Sequence, residues 1–273
     1  MPLRRSFYDV LTLAINDVAE HGFDSEGRVA FWTEELRKAA ESALQTPAQA
    51  EEMLRAGLAT VYRRLVDRGE VARYHPGVSR FTLQRIAPRL RAELDRRILA
   101  SASLIRMNRS EAIGKTLRRF AGWATSIPAG GGVAEKADAK KDVRKALSQL
   151  PFEERRCLID QGHKLTAAIN EIVASDGGAI ALIWRSNFRQ SGYDYREDHR
   201  ERDGEVYLLE SWASKAGLVK PGKAGWYKDV TSCGQEINCR CYAVFVYSLG
   251  DLPPGMLTKR GETELRRVRA ASA

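Results

Sequence analysis

Apolar residues recur at helical spacing along most of the first 175 positions. Phe7, Val10, Leu11, Ala14, Ile15 and Val18 mark a first helix over 6–20, with Ser6 as its cap and His21-Gly22 as its stop. Val29, Phe31, Trp32, Leu36 and Ala40 give a second over 27–44. Thr46-Pro47 then opens a third, Thr as cap and Pro at the first position, with Met53, Leu54, Leu58, Val61, Tyr62 and Leu65 inward and Gly69 at its end. Tyr74-His75-Pro76-Gly77 reads as a turn, which makes His75 a loop residue rather than a ligand. Leu83, Ile86, Leu90, Leu94, Ile98, Ala102 and Ile105 predict a further helix that Pro88 either starts or kinks. Ser110-Glu111 begins another, carrying Ile113, Leu117 and Phe120 and ending near Trp123. The run Ser126-Ile127-Pro128-Ala129-Gly130-Gly131-Gly132 is the clearest linker in the chain, and a domain boundary is expected there. Beyond it, 138–150 predicts a charged amphipathic helix. Pro151 opens the next, with Cys157, Leu158, Leu165, Ile169 and Ile172 on its buried side and Cys157 as a small core residue. His163 falls on a different face of that helix from Cys157.

Ser175-Asp176-Gly177-Gly178 breaks the helix, and the pattern changes. The short apolar run after it, over 179–188, fits a short helix or a buried strand equally. Residues 205–209 read as a strand after an Asp203-Gly204 turn, and 220–226 as a Pro- and Gly-rich loop. The strongest strand pattern is 236–248. There, alternation puts Ile237, Cys239, Cys241, Ala243, Phe245 and Tyr247 on one face, opposite Asn238, Arg240, Tyr242, Val244 and Val246. The polar, basic stretch over 256–273 is expected to be mobile or ordered by a partner. The pattern as a whole predicts a mainly α protein with a C-terminal α+β domain, a helical N-terminal region followed by helices packed on a small antiparallel sheet.

Composition narrows the class. At 273 residues and 44% hydrophobic content the chain can bury a core, and its longest apolar run falls well short of the roughly 20 residues of a spanning helix. No apolar run follows the charged N-terminus, so no signal peptide is expected. Four unevenly spaced cysteines suggest reduced thiols inside a cell rather than a disulfide scaffold. The net charge of +9 is concentrated: eleven Lys/Arg stand against three Asp/Glu over 80–119. Such a stripe fits nucleic acid, an acidic protein surface, or a solvated helix face. Its candidate contacts are Arg85, Arg89, Arg96, Arg97, Arg106, Arg109, Arg118 and Arg119.

The chemically special residues gather in 191–247. Cys233, Cys239, Cys241 and His199 are four soft donors, the number a structural zinc site takes. The spacing C-x5-C-x-C is not that of a finger or ribbon, and two cysteines flanking one strand residue splay apart. Buried free thiols, and no metal, are therefore the expected state. Asp198, His199 and Asp203 are also the raw material for a metal-dependent nuclease or toxin. No phosphate-cradling glycine loop, nucleophile elbow or H-E-x-x-H accompanies them.

The order His199-Arg200-x-x-Asp203-Gly204, then a Pro- and Gly-rich loop, then Ile237-Asn238-Cys239-Arg240-Cys241, resembles the C-terminal domain of the phage Mu F-like minor head proteins, the phage head morphogenesis family. Ala181-Leu182-Ile183-Trp184-Arg185-Ser186 and Gly192 resemble that family's approach to its histidine element. The resemblance covers 136–248. The segment between Tyr207 and Cys233 has no clear register against it. It implies a non-enzymatic component of a tailed-phage or prophage head, located in the virion head or, during assembly, in the host cytoplasm. Portal and other head proteins are the implied partners, with packaged DNA a further one and no membrane. DNA contacts by the basic stripe would be sequence-independent and salt-sensitive. The implied layout is a helical region over 1–125, a linker over 126–135, the head morphogenesis domain over 136–248 and a basic tail over 249–273. In this reading His199, Asp203, Gly204, Asn238, Cys239, Arg240 and Cys241 are structural. The Asp-Gly turn brings His199 against the cysteine strand, and Arg240 pairs with Glu197, Asp198 or Glu201, or with a partner.

Overall fold

In the computed structural model, which describes residues 6–44, 46–132 and 135–272, helices account for most of the chain. Helix α1 (Phe7–His21) starts at a capping box, the Ser6 hydroxyl accepting from the Asp9 N–H while the Asp9 carboxylate accepts from the Ser6 N–H. Helices α2 (Glu26–Ala43) and α3 (Pro47–Tyr62) follow, α2 capped by Ser25 and α3 by Thr46, whose hydroxyl accepts from the Gln49 N–H. The helical faces are as the periodicity predicts except at Phe31 and Met53, expected inward and exposed.

Helix α4 (Arg80–Ser126) is continuous over 47 residues, and α5 (Lys136–Asp176) over 41. Each replaces two predicted helices. Ser110 does not interrupt α4 because it is exposed and because Glu111 pairs with Lys115 one turn on, at 2.7 Å. Pro88 and Pro151 both lie inside helices. Each sits on the solvent side, where water can take the carbonyl that proline leaves without a donor.

Three antiparallel strands complete the fold: β1 (Ala181–Arg185), β2 (Val206–Leu208) and β3 (Tyr242–Val246), in the order β2-β1-β3. Leu182 stands opposite Tyr207 on one side and Phe245 on the other. Both faces of the sheet are covered. Leu182, Trp184, Tyr207 and Phe245 pack with Ala174 and the cysteines 233, 239 and 241. Ala181, Leu208 and Val246 pack with Leu218, Leu249, Leu252, Met256 and Leu257. A strand buried on both faces carries no alternation, which is why the apolar run fitted helix and strand alike. Short helices α6 (Glu197–Glu201) and α7 (Trp212–Lys215) lie in the connections, and α8 (Lys259–Ser272) closes the chain. The tail is thus folded rather than loose: it supplies the cover for the second face of the sheet.

The predicted 236–248 strand is shorter than expected. Only Tyr242–Val246 pairs, and 236–241 is irregular, with Asn238 in the left-handed region at φ 58°. Ile237 points into solvent instead of joining the cysteines.

The chain divides into two compact units, Met1–Leu54 with Leu99–Leu158, and Arg55–Ile98 with Ile159–Ala273. The division passes through α3, α4 and α5, not through 126–135. Long apolar stripes carry α4 and α5 from one unit into the other, and the glycine-rich run is bound within the first. There Gly130 N–H donates to His21 O at 2.9 Å and Gly132 N–H to Ala19 O at 3.3 Å. Val133 and Ala134 of the predicted linker, and residues 1–5, lie outside the described residues. In the first unit, Leu11, Ile15, Leu36, Phe120 and Val143 form the main core, and Cys157 is buried with Leu54 and Ile105, as its helical position predicts. No helix among the described residues is long and apolar enough to cross a membrane.

Candidate functional site

The second unit brings together residues that lie about forty positions apart in sequence. Helix α6 turns His199 inward until it is 2% exposed. Its ring meets Trp184 of β1 edge to face at 5.4 Å, while the Arg202 guanidinium lies 5.1 Å over the same indole. The Asp203-Gly204 turn holds α6 to the sheet. Gly204, at φ 86°, donates its N–H to Trp184 O at 2.8 Å, and Asp203 Oδ1 accepts from the Ser186 N–H at 2.8 Å. Glycine is required here because the turn needs a positive φ while its N–H continues the ladder of β1.

The cysteines approach from the irregular segment before β3. Asn238 reverses the chain, and its N–H donates to Asp160 Oδ1 on α5 at 2.7 Å. Asp160 also faces Lys164 at 2.7 Å, both side chains being buried. Cys239 and Cys241 then point the same way. His199 Nδ1 lies 3.5 Å from each sulfur, and the Cys241 N–H donates to Cys239 Sγ at 3.4 Å. The three donor atoms lie within 4.8 Å of one another. The expected splaying does not occur, because these residues are not in an extended strand. Cys233 is buried nearby but stands outside this group.

The two thiols differ. The Cys241 N–H donates to Cys239 Sγ, and hydrogen bonding from Cys241 lowers the pKa of Cys239 against the cost of burial. Cys241, which gives that hydrogen bond and is buried beside the resulting charge, is pushed up. Burial likewise raises Cys233. On the far side of the imidazole, Nε2 is buried without a hydrogen-bond partner, Glu236 Oε1 standing 3.6 Å away. The other oxygen of Glu236 pairs with Arg196 Nε at 3.0 Å.

Arg240 departs from expectation. Glu197 pairs with Arg200 and Asp198 with Arg202 inside the α6 segment, and no ion pair to Arg240 occurs among the described residues. Its guanidinium lies instead 5.1 Å from the ring centroid of Tyr193, whose hydroxyl accepts the Arg240 N–H at 3.0 Å.

Asp198 Oδ2 is 3.9 Å from His199 Nε2, and Asp203 is engaged by the backbone of Ser186. The three residues of the nuclease alternative therefore do not converge on one open position.

A second buried polar group escaped the sequence. His75 sits in the predicted turn but is 1% exposed. Asn170 Nδ2 donates to Thr166 O, which turns Asn170 Oδ1 toward His75 Nε2 at 2.8 Å; Nδ1 meets the Tyr247 hydroxyl at 2.5 Å. The arrangement suits a neutral ring, Nε2 donating and Nδ1 accepting. Burial lowers its pKa against the opposing hydrogen bond from Asn170. An unfolded imidazole binds its proton near pH 6.5, and the folded one only at lower pH. As pH falls below about 6.5 the unfolded chain binds more protons, so stability drops, by up to about 1.4 kcal/mol per pH unit for this group. Denaturation midpoints between pH 7 and 5.5 should therefore show a shallower pH slope in His75→Gln than in the natural chain. Equal slopes would exclude His75 as the source. No spacing in the sequence signals this residue, because its partners lie 95 and 172 positions away.

The arginine stripe is mostly engaged. Arg97 and Arg109 are buried, Arg97 on Glu93 at 2.8 Å and Gln235 at 3.0 Å, Arg109 on Glu154. Neither can reach a phosphate. Arg85 and Arg89 both pair with Asp176, and Arg96 pairs with Glu93. Arg119 donates to Asp142 O at 3.2 Å and Arg106 to Ser103 Oγ. Arg85, Arg89, Arg96, Arg106 and Arg118 remain exposed.

No family model, no curated protein and no solved structure matches the chain.

Proposed function

We propose that the chain is a structural minor head protein of a tailed phage or prophage, of the Mu F-like kind, and that its motif residues act as a clasp for the C-terminal fold rather than as a catalytic centre. One observation carries the reading. His199 and the Cys239–Cys241 pair, picked out by the resemblance forty positions apart, meet in a single buried cluster. A hydrolytic site needs access for substrate and water, and a histidine 2% exposed offers little. The Asp203 carboxylate serves a turn in the same way. Portal and other head proteins are the partners, in the assembling head within the host and then in the virion. The exposed guanidiniums of Arg85, Arg89 and Arg96, which share one face of α4, supply a surface for acidic protein or for packaged DNA.

Co-production with the portal, scaffold and capsid proteins of a tailed phage or prophage from the same host tests this. The full chain should sediment with procapsids at a few copies per particle, measured by quantitative mass spectrometry, and His199→Ala should reduce its incorporation. Absence from particles would overturn the proposal. Plasmid cleavage with Mg²⁺ or Mn²⁺ that is lost in His199→Ala would put a nuclease in its place.

A further inference from the structure

We infer that His199 Nδ1, Cys239 Sγ and Cys241 Sγ form a binding site for one divalent zinc ion, which locks α6 to the segment before β3. The inference does not depend on the role in head assembly.

Distance is the first argument. Zinc bonds of about 2.3 Å to sulfur and about 2.05 Å to nitrogen, at a tetrahedral angle, place ligand sulfur and nitrogen about 3.5 Å apart. Both sulfurs lie 3.5 Å from Nδ1. Hydrogen bonding alone accounts for only one of these contacts. Nδ1 carries either one lone pair or one proton, so it can make one directed hydrogen bond and not two. A metal ion satisfies all three donors at once.

The second argument comes from the other ring nitrogen. When Nδ1 accepts, Nε2 carries the proton, and it is buried without a hydrogen-bond partner, with Glu236 Oε1 at 3.6 Å. Metal-bound histidines commonly direct their far N–H at a carboxylate, which fixes the tautomer and raises the basicity of the ligand. Glu236 is in that position, held there by Arg196.

Charge is the third. Two thiolates and a neutral imidazole exactly offset a dication, so that the occupied site is neutral where an isolated charge would be costly. The Cys241 N–H points at Cys239 Sγ from 3.4 Å, so one ligand sulfur is already oriented by the backbone. Binding releases the thiol protons to solvent. Two sulfur donors and an imidazole select zinc over magnesium or calcium, which take oxygen ligands. A small exogenous ligand, water in the simplest case, completes the shell. A cavity of about 200 Å³ bordered by Cys241, His163 and Glu171 adjoins the site and can supply it.

The full chain, purified without chelator, should carry close to one zinc per molecule by elemental analysis. Stripped and refilled with Co²⁺, it should develop thiolate-to-metal charge-transfer absorption and the visible bands of tetrahedral cobalt. Cys239→Ser and Cys241→Ser should each weaken zinc binding at least about 100-fold, and Glu236→Gln about 10-fold. Cys157→Ser, altered in the other unit, should bind normally. Cobalt uptake without thiolate charge transfer overturns the assignment, as does unchanged zinc content in the Cys239→Ser/Cys241→Ser double variant. Should the serine variants fail to fold, the spectrum of the natural chain decides the matter alone.

Discussion

Replacing Asp160 with alanine should destabilise the second unit by about 3–5 kcal/mol, more than any single change at the cysteines themselves in the metal-free protein. Two losses combine. Lys164, 7% exposed, keeps its ammonium buried with its 2.7 Å partner removed. The Asn238 N–H loses its acceptor at the one non-glycine residue with positive φ among those described. A buried ion pair adds little net stability when intact, but breaking it strands the surviving charge. The double variant Asp160→Ala/Lys164→Met separates the two terms. It removes the stranded ammonium and should recover most of the loss, leaving about 1–2 kcal/mol for the orphaned N–H. Chemical denaturation followed by tryptophan fluorescence measures both. A loss below about 1 kcal/mol in the single variant, or no recovery in the double, would show that Asp160 does not support the turn.

That turn also marks where the sequence could and could not be read. Helix α1 was legible to within a residue because cap, apolar stripe and stop agree at Ser6, Ile15 and Gly22. The small antiparallel sheet after the helices was legible as a class. Cys239, Cys241, Ala243, Phe245 and Tyr247 do pack into one cluster, as alternation places them. What alternation could not reveal is that the chain stays out of the sheet until Tyr242 and turns at Asn238, because the residue that holds that turn, Asp160, lies 78 positions earlier. The same limit hid the His75 network and the burial of Arg97 and Arg109. Charge density along a helix counts guanidiniums without saying which meet a carboxylate from another element. Helix boundaries failed for a different reason. Serine, glutamate and proline are start signals, but at Ser110-Glu111 and Pro151 the apolar stripe continues past them, and tertiary burial outweighs the local signal. The folded tail is the remaining case: the polar composition of 256–273 concealed Met256 and Leu257, which with Leu249 and Leu252 close one face of the sheet.

The glycine-rich run that looked like a flexible boundary leads to the other large expected effect. Gly22→Ala should cost on the order of 4 kcal/mol, combining an unfavourable backbone conformation with overpacking. Gly22 has φ 72° and ψ −168°, a combination that is essentially restricted to glycine. A methyl group there would also lie 1.7 Å from Pro128 O and 2.9 Å from Gly131 N, both backbone atoms that no rotamer change can clear. The close approach has a purpose. The last carbonyls of α1 have no partner within the helix, and the amides of Gly130 and Gly132 supply donors to His21 O and Ala19 O. Phe23 N–H donates in turn to Ile127 O at 3.1 Å. Any displacement of 127–132 that makes room for the methyl breaks these hydrogen bonds, so conformational strain and lost caps cannot be relieved independently. Gly130→Ala provides the contrast. It also has a positive φ, 85°, but its methyl would meet nothing within 4 Å, and it should cost only about 1–2 kcal/mol, the price of the left-handed conformation. Equal losses for the two variants in denaturant titrations would mean that the run is not packed against α1. A larger loss at Gly22 would identify 127–132 as a fixed cap on the first helix, which is why the chain does not divide there.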